Sequence, residues 1–295
     1  MKPPQCPTKK RHVETTCWAD RTNMEEVLMA TGVFLVAFLF APVGMGGGML
    51  FVPLFHYAGG WPIDGVLIAT SLMLTTVVSY GSGLAHRAKG HVHDPSIRSG
   101  LVGAVPGAVL GVVIVILLGS NLDAVFKILS VAMLAWALVK TRNKIQQIET
   151  GEPESLSNEP QAAIEHGALR LGTGVGGVLS SVLAIGSGVV YVPMLQQKAH
   201  LPTRSSIGSS LHIMMVVVPV AVLTHLMVVT SEERASFVES MPMLFVWMIL
   251  TYIGAILGAK IGMKYISPTN IMRVFMTLVG VVLVRYVMDI GSSVV

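Results

Sequence analysis

Two short stretches, GMGGG at 44–48 and AIGSG at 184–188, put glycine into the middle of apolar sequence, and each is followed at the same distance by a proline, Pro53 and Pro193. Glycine accepts positive φ and leaves the backbone N–H uncovered. A helix starting there offers bare amides and about half a positive charge to an anion. Gly46, Gly47, Gly48 and Met49, with Gly186, Ser187 and Gly188, are therefore candidate anion-binding residues. Four glycines in five positions exceed what a G-x-x-x-G packing face needs, whereas GAVLG at 107–111 reads as such a face.

A second recurring element is rich in hydroxyls: ATSLMLTTVVS at 69–79 and GSSLHIMM at 208–215. Thr70 and Ser71, with Ser209 and Ser210, follow Pro62 and Pro202 at nearly equal spacing, about 12 Å into a helical span. That depth suits donors to a bound oxyanion; the plainer reading is a bond back to the i−4 carbonyl. His212, the titratable residue nearest mid-span, is either a neutral packing residue or a donor and proton carrier. The run HRAKGHVHD at 86–94 holds His86, His91, His93 and Asp94, and reads as a basic turn rather than a metal site. Its lesser reading is binding of anionic head groups or substrate. No metal and no cofactor is expected.

Ser187, with His212 and His225 on the following helix, raises an intramembrane serine hydrolase. Ile185 stands where a G-x-S-G nucleophile site has glycine, and Gly47 matches Ser187 in the first half, so an enzyme is not expected.

The elements that must position these residues are apolar helices. Of 295 residues, 53% are hydrophobic and 12% charged, with mean hydropathy +0.70, a balance that excludes a water-soluble globule of this size. The basic residues gather at segment ends without interleaved aromatics, which gives no support for nucleic-acid binding. About 20 apolar residues cross a bilayer core. Stretches near that length fall at about 25–43, 64–84, 97–118, 122–140, 164–183, 203–229, 241–259 and 268–288. The expected fold is thus an all-α, multi-pass cell-membrane protein of about eight transmembrane helices, with glycine-rich broken or re-entrant segments. Charged residues keep to tails, loops or span ends, and none sits at mid-depth, which argues against a carboxylate-based cation pathway.

The organisation is a polar basic tail at 1–23, expected to be disordered, a first transmembrane repeat at 24–140, a linker at 141–163 and a second repeat at 164–295. Met24 is an alternative start. GGGMLFVPLF (46–55) aligns with GSGVVYVPML (186–195), Pro62 with Pro202, ATSL (69–72) with GSSL (208–211), and PGAVLG (106–111) with IGAILG (253–258). Four matches in conserved order indicate a duplicated module. Arg87, Lys89, Arg98, Lys140, Arg142 and Lys144 place alternate ends of the first half in the cytoplasm with the tail. Lys198, Arg204, Lys260 and Lys264 break that alternation on an eight-span count. Either the tail dominates, or the glycine segments make partial crossings that invert one half.

The motifs GMGGGMLFVPLF, WPIDGVLIATSL, GSGVVYVPML, LPTRSSIGSSL, PGAVLG and IGAILG resemble the TauE/SafE-type sulfite exporter family over about residues 27–288. The resemblance implies a duplicated multi-helix transporter of sulfite, sulfoacetate or related sulfonates. Ala184 in place of Gly44, and Ser187 in place of a third glycine, depart from symmetry between the halves. The expected partners are a small anionic substrate and the lipid bilayer, with a homo-oligomer left open and no nucleic acid. The expected mechanism is alternating access around a site between the halves; a passive anion channel is the alternative.

Overall fold

The computed structural model describes residues 11–43, 46–150, 163–265 and 267–294. Among them the regular elements are all helical. They are α1 (Arg11–Phe40), ending in a 3-10 turn (Ala41–Val43), and α2 (Gly48–Pro53), ending in a π-helical turn (Leu54–Ala58). Next come α3 (Gly65–Ala88), α4 (Asp94–Leu118), α5 (Leu122–Glu149), α6 (His166–Leu183) and α7 (Gly188–Lys198). The chain closes with α8 (Thr203–Val228), α9 (Ser231–Tyr265) and α10 (Pro268–Val294). Local chemistry sets the ends: Asp64 caps α3 by accepting the Leu67 N–H at 2.8 Å, and Gly119 closes α4 at φ +47°. Burial pushes the Asp64 carboxyl above its ordinary pKa.

Helix α1 continues back to Arg11, into the stretch expected to be disordered, and residues 1–10 lie outside the described residues. Helix α5 likewise takes up 141–149 of the expected linker, whose part at 151–162 lies outside them, as do Gly44 and Met45.

Six described helices are long and apolar enough to cross a membrane: Gly65–Ala88, Asp94–Leu118, Leu122–Gln147, Thr203–Val228, Ser240–Gly262 and Met272–Ser292. The expected count of eight is corrected at α1 and α6, which stop at a glycine break and turn back. A Cβ added to Gly32 would lie 2.8 Å from Leu54 Cδ1, and one on Gly59 would lie 3.2 Å from Met29 Cε. Residue 59 thus returns to the level of residue 29, so α1 and α2 form a re-entrant hairpin. The second pair repeats the arrangement: Gly172 lies against Met194, Gly176 against Tyr191, and the Glu165 N–H donates to the Lys198 carbonyl at 2.9 Å. The reversals are made in left-handed backbone, at Gly46 (φ +74°) and Gly47 (+77°), then at Ala184 (+52°), Gly186 (+68°) and Ser187 (+56°).

Neighbouring helices fix the directions. Gly103, Gly107 and Gly111 of α4 press on the carbonyls of Arg170, Gly174 and Val178, so α4 runs parallel to α6. Gly254 and Gly258 of α9 press on the carbonyls of Phe34 and Phe38, so α9 runs parallel to α1. In contrast, Gly83 of α3 faces Leu211, His212 and Met215 while Gly208 faces His86, so α3 and α8 run antiparallel. Following the chain, the first hairpin opens on one face and the second on the opposite face. Helices α5 and α10 pair antiparallel outside this core, tied by Lys127–Asp289 (2.7 Å) near one end and Arg273–Glu149 (2.8 Å) near the other.

The hairpins also remove the charge conflict. On this path Arg87, Lys89, Arg98, Lys140 and Arg142 share one face, the basic face, with Lys198, Arg204, Lys260 and Lys264. Glu26, Asp64, Asp123, Glu233 and Asp289 mark the other, acidic face. Helix α1 enters from the acidic face, opposite the basic ends of the first half, where the plain alternation put its start with those ends.

Candidate functional site

The two hairpin tips meet between α3 and α8. Thr75 lies ten residues after Gly65, about 15 Å along α3, and Met214 lies at a matching depth in α8. A Cβ on Gly46 would stand 3.0 Å from Thr75 Cγ2, and one on Gly186 would stand 2.6 Å from the same atom; both would also strike Met214 Cε. At Gly48 an added Cβ would overlap the Ala184 carbonyl oxygen and approach Thr75 Oγ1 to 2.7 Å. The glycines are therefore demanded by close packing as well as by φ.

The first turns beyond the tips are alike. Leu50 and Phe51 N–H donate to Gly47 O, and Val190 and Tyr191 N–H donate to Ser187 O. The amides of Gly48 and Met49, and of Gly188 and Val189, precede these bonds, at positions that have no acceptor within a helix. Ahead of the tips, the buried helix-end carbonyls are capped from the long helices: Ser82 Oγ donates to Ala41 O at 2.6 Å and His225 Nε2 donates to Ser181 O at 3.0 Å.

Around the tips lie hydroxyls that are fully buried yet unpartnered: Thr70, Ser71, Ser180, Ser181 and Ser210 are each at most 1% exposed. An unmet buried polar group costs about 1–3 kcal/mol, so such a set is a place for a polar ligand or water. Thr75 Oγ1 instead donates to Ser71 O at 2.8 Å. A small crevice of about 10 Å³, no more than one water needs, adjoins the tips, lined by Met49, Val52, Leu183 and Ile185 and by Phe126, Ser130 and Tyr286 of α5 and α10. No Asp, Glu, Lys or Arg lines it.

The expected site residues divide into groups. Gly46, Gly47, Gly48, Met49, Gly186, Ser187 and Gly188 converge at the tips, all buried. The hydroxyl pairs do not converge: Gly83 packs on Leu211, the neighbour of Ser210, while Ser71 is twelve residues before Gly83, about 18 Å away along α3. Thr70 and Ser71 thus stand toward the acidic face and Ser209 and Ser210 toward the basic face. Ser209 Oγ accepts the His93 N–H at 2.9 Å, and His212 Nδ1 donates to Gly208 O at 2.8 Å. Ser187 Oγ donates to Gly176 O, and no described histidine bonds to it; His225, like His212, is spent on a carbonyl. The Ser–His geometry of a hydrolase is not formed. Thr75, Met214, Ser82, Ser180 and Ser181 escaped sequence reasoning, although the 139-residue offset that aligns ATSL with GSSL also aligns Thr75 with Met214.

The sequence profile of the family described as Sulfite exporter TauE/SafE matches residues 28–286, almost the whole hairpin-and-helix body. The chain belongs to that family. It is a family of membrane transporters, and this TauE/SafE chain is a multi-pass membrane protein by the same evidence and its six long apolar helices. Two curated proteins of Xylella fastidiosa, from strains Temecula1 and 9a5c, each carry the description "Probable membrane transporter protein". Each is 31% identical over 179 residues, which is 60% of this chain and 65% of the relative. The match thus spans somewhat less than two thirds of the relatives' length. No solved structure matches the chain.

Proposed function

We propose that the protein is a secondary transporter that moves small sulfur oxyanions, such as sulfite or organosulfonates, by alternating access between two inverted copies of one module. Each module is a re-entrant hairpin followed by three crossing helices. The duplication is supported by contacts that recur at equivalent residues. Gly107 on the Gly174 carbonyl corresponds to Gly254 on that of Phe34, and Gly111 on Val178 corresponds to Gly258 on Phe38. The antiparallel α3–α8 pair carries the approximate two-fold axis, which makes the repeats inverted, as in other transporters with broken helices at a midplane site. The gathering of basic residues on one face makes that face cytoplasmic.

The observation that carries the anion reading is the meeting of two helix breaks at mid-depth beside unpartnered hydroxyls, with no formal charge among them. In lipid a backbone break persists only where protein or a wet cavity satisfies it. The amides can only donate and the hydroxyls can turn to donate with them, a set that suits an anion. Rocking of one module against the other would expose the tips first past Thr70 and Ser71 and then past Ser210, one hydroxyl group for each route.

Flux into proteoliposomes tests this with sulfite, methanesulfonate, sulfate and chloride. Saturable uptake of the sulfur oxyanions is expected, and Ser71→Ala and Ser210→Ala should each lower it about tenfold, the loss of about 1.4 kcal/mol from one donor. Normal uptake in both well-folded variants would overturn the site. Steady single-channel currents would overturn alternating access in favour of a pore.

A further inference from the structure

His86 and His225 occupy equivalent positions, 139 residues apart like Ser71 and Ser210, but on opposite faces. They are used differently. His225 caps the carbonyl of Ser181 in the last turn of α6. The equivalent carbonyl of the first half, Ala41, is already taken by Ser82. His86 is left 2% exposed with neither ring nitrogen bonded.

Its surroundings are those of an anion site. Gly208 of α8 brings the helix onto the His91 carbonyl, and a Cβ there would lie 3.3 Å from His86 Cβ. The His86 and His91 rings are 6.3 Å apart, and the His212 ring lies beside Gly83, one turn before His86. Lys89, His91, Arg204 and His212 bear on His86, and Arg87 and Asp94 bear on His212. The one carboxylate of the group, Asp94, is engaged by Arg87 at 3.7 Å. The bond from His93 N–H to Ser209 Oγ clamps the intervening turn to α8. No group of three or more His, Cys, Asp or Glu side chains placed to hold a metal exists among the described residues.

We propose that His86 forms a loading site for the transported oxyanion on the basic face, with Arg204 and Lys89 at its mouth. The His86 ring donates an N–H to the anion before it reaches the hairpin tips. The inference rests on the transport reading and adds to it an asymmetry: the acidic-face end has no such site, because His225 is committed to the fold.

The test is zero-trans flux of sulfite and methanesulfonate in vesicles of known orientation, using whichever anion the wild-type protein carries. His86→Phe should raise the half-saturating concentration at the basic face at least tenfold and leave that at the acidic face within twofold. His86→Gln, which keeps an N–H donor, should stay within about threefold of wild type at both faces. His225→Phe should lower the melting temperature without a one-sided change in flux, whereas His86→Phe should leave the melting temperature intact. Equal shifts at both faces, no shift, or loss of stability in H86F equal to that in H225F would overturn the loading site. Absence of saturable flux of either anion in the wild-type protein would instead overturn the transport reading on which it rests.

Discussion

The two hairpin tips solve one geometric problem with different residues. The first reverses on Gly46 and Gly47, and the second on Ala184, Gly186 and Ser187, all in left-handed backbone. The first tip has no free side chain between Gly46 and Gly48; its atoms must fit under the Ala184 carbonyl. The second carries hydroxyls at Ser180, Ser181 and Ser187, and its preceding carbonyl is held by an imidazole rather than a hydroxyl. Glycine is thus obligatory where one tip presses on the other, and tolerable as alanine or serine where it does not. The first tip is the wedge, and the second tip receives it and supplies polar groups.

The largest expected effect breaks the wedge. Gly48→Ala drives a methyl into the Ala184 carbonyl and should leave little monodisperse protein on size-exclusion chromatography, whereas Ala184→Gly relieves about 1 kcal/mol of left-handed strain and should fold normally. Equal tolerance of both would remove the asymmetry. A smaller effect sharpens it at the outer ends of the hairpins. Tyr57 of the first hairpin reaches Asp289, which Lys127, with a side chain 11% exposed, also holds; the second hairpin is closed by Lys198–Glu165, with side chains 35% and 47% exposed. Lys127→Met should cost about 1.5 kcal/mol, and Lys198→Met under about 1 kcal/mol, in thermal unfolding. Smallest of the three, Ser82→Ala uncaps Ala41 O and should cost about 1 kcal/mol in the same assay, without altering substrate preference.

Much of this was legible in the sequence. The glycine clusters marked the breaks, and hydropathy placed the six long helices. The apparent seventh and eighth spans misled because hydropathy measures apolar length, not direction: α1 and α6 are apolar, but positive φ at their ends sends the chain back. The charge pattern held the correction, since Lys198, Arg204, Lys260 and Lys264 fit one face only when both hairpins are re-entrant. Ser71 and Ser210 align in the sequence, but the antiparallel run of α3 and α8 sets them toward opposite faces instead of joining them. Thr75 and Met214 were invisible as tip contacts because one is a threonine among many and the other an ordinary apolar residue. His86 drew notice only as part of a basic run, since neither its burial nor the use of Ala41 O by Ser82 can be read from spacing.

Re-entry at both breaks is the claim on which faces, symmetry and site all depend, and thiol labelling reaches it most directly. With Cys6 and Cys17 changed to serine, single cysteines replace Val27, Pro62, Gly167 and Pro202, all exposed, and an impermeant reagent is applied to sealed vesicles of each orientation. The account predicts that positions 27 and 62 react from one face and positions 167 and 202 from the other. Reaction of 27 and 62 from opposite faces, or of 62 and 202 from the same face, would contradict it.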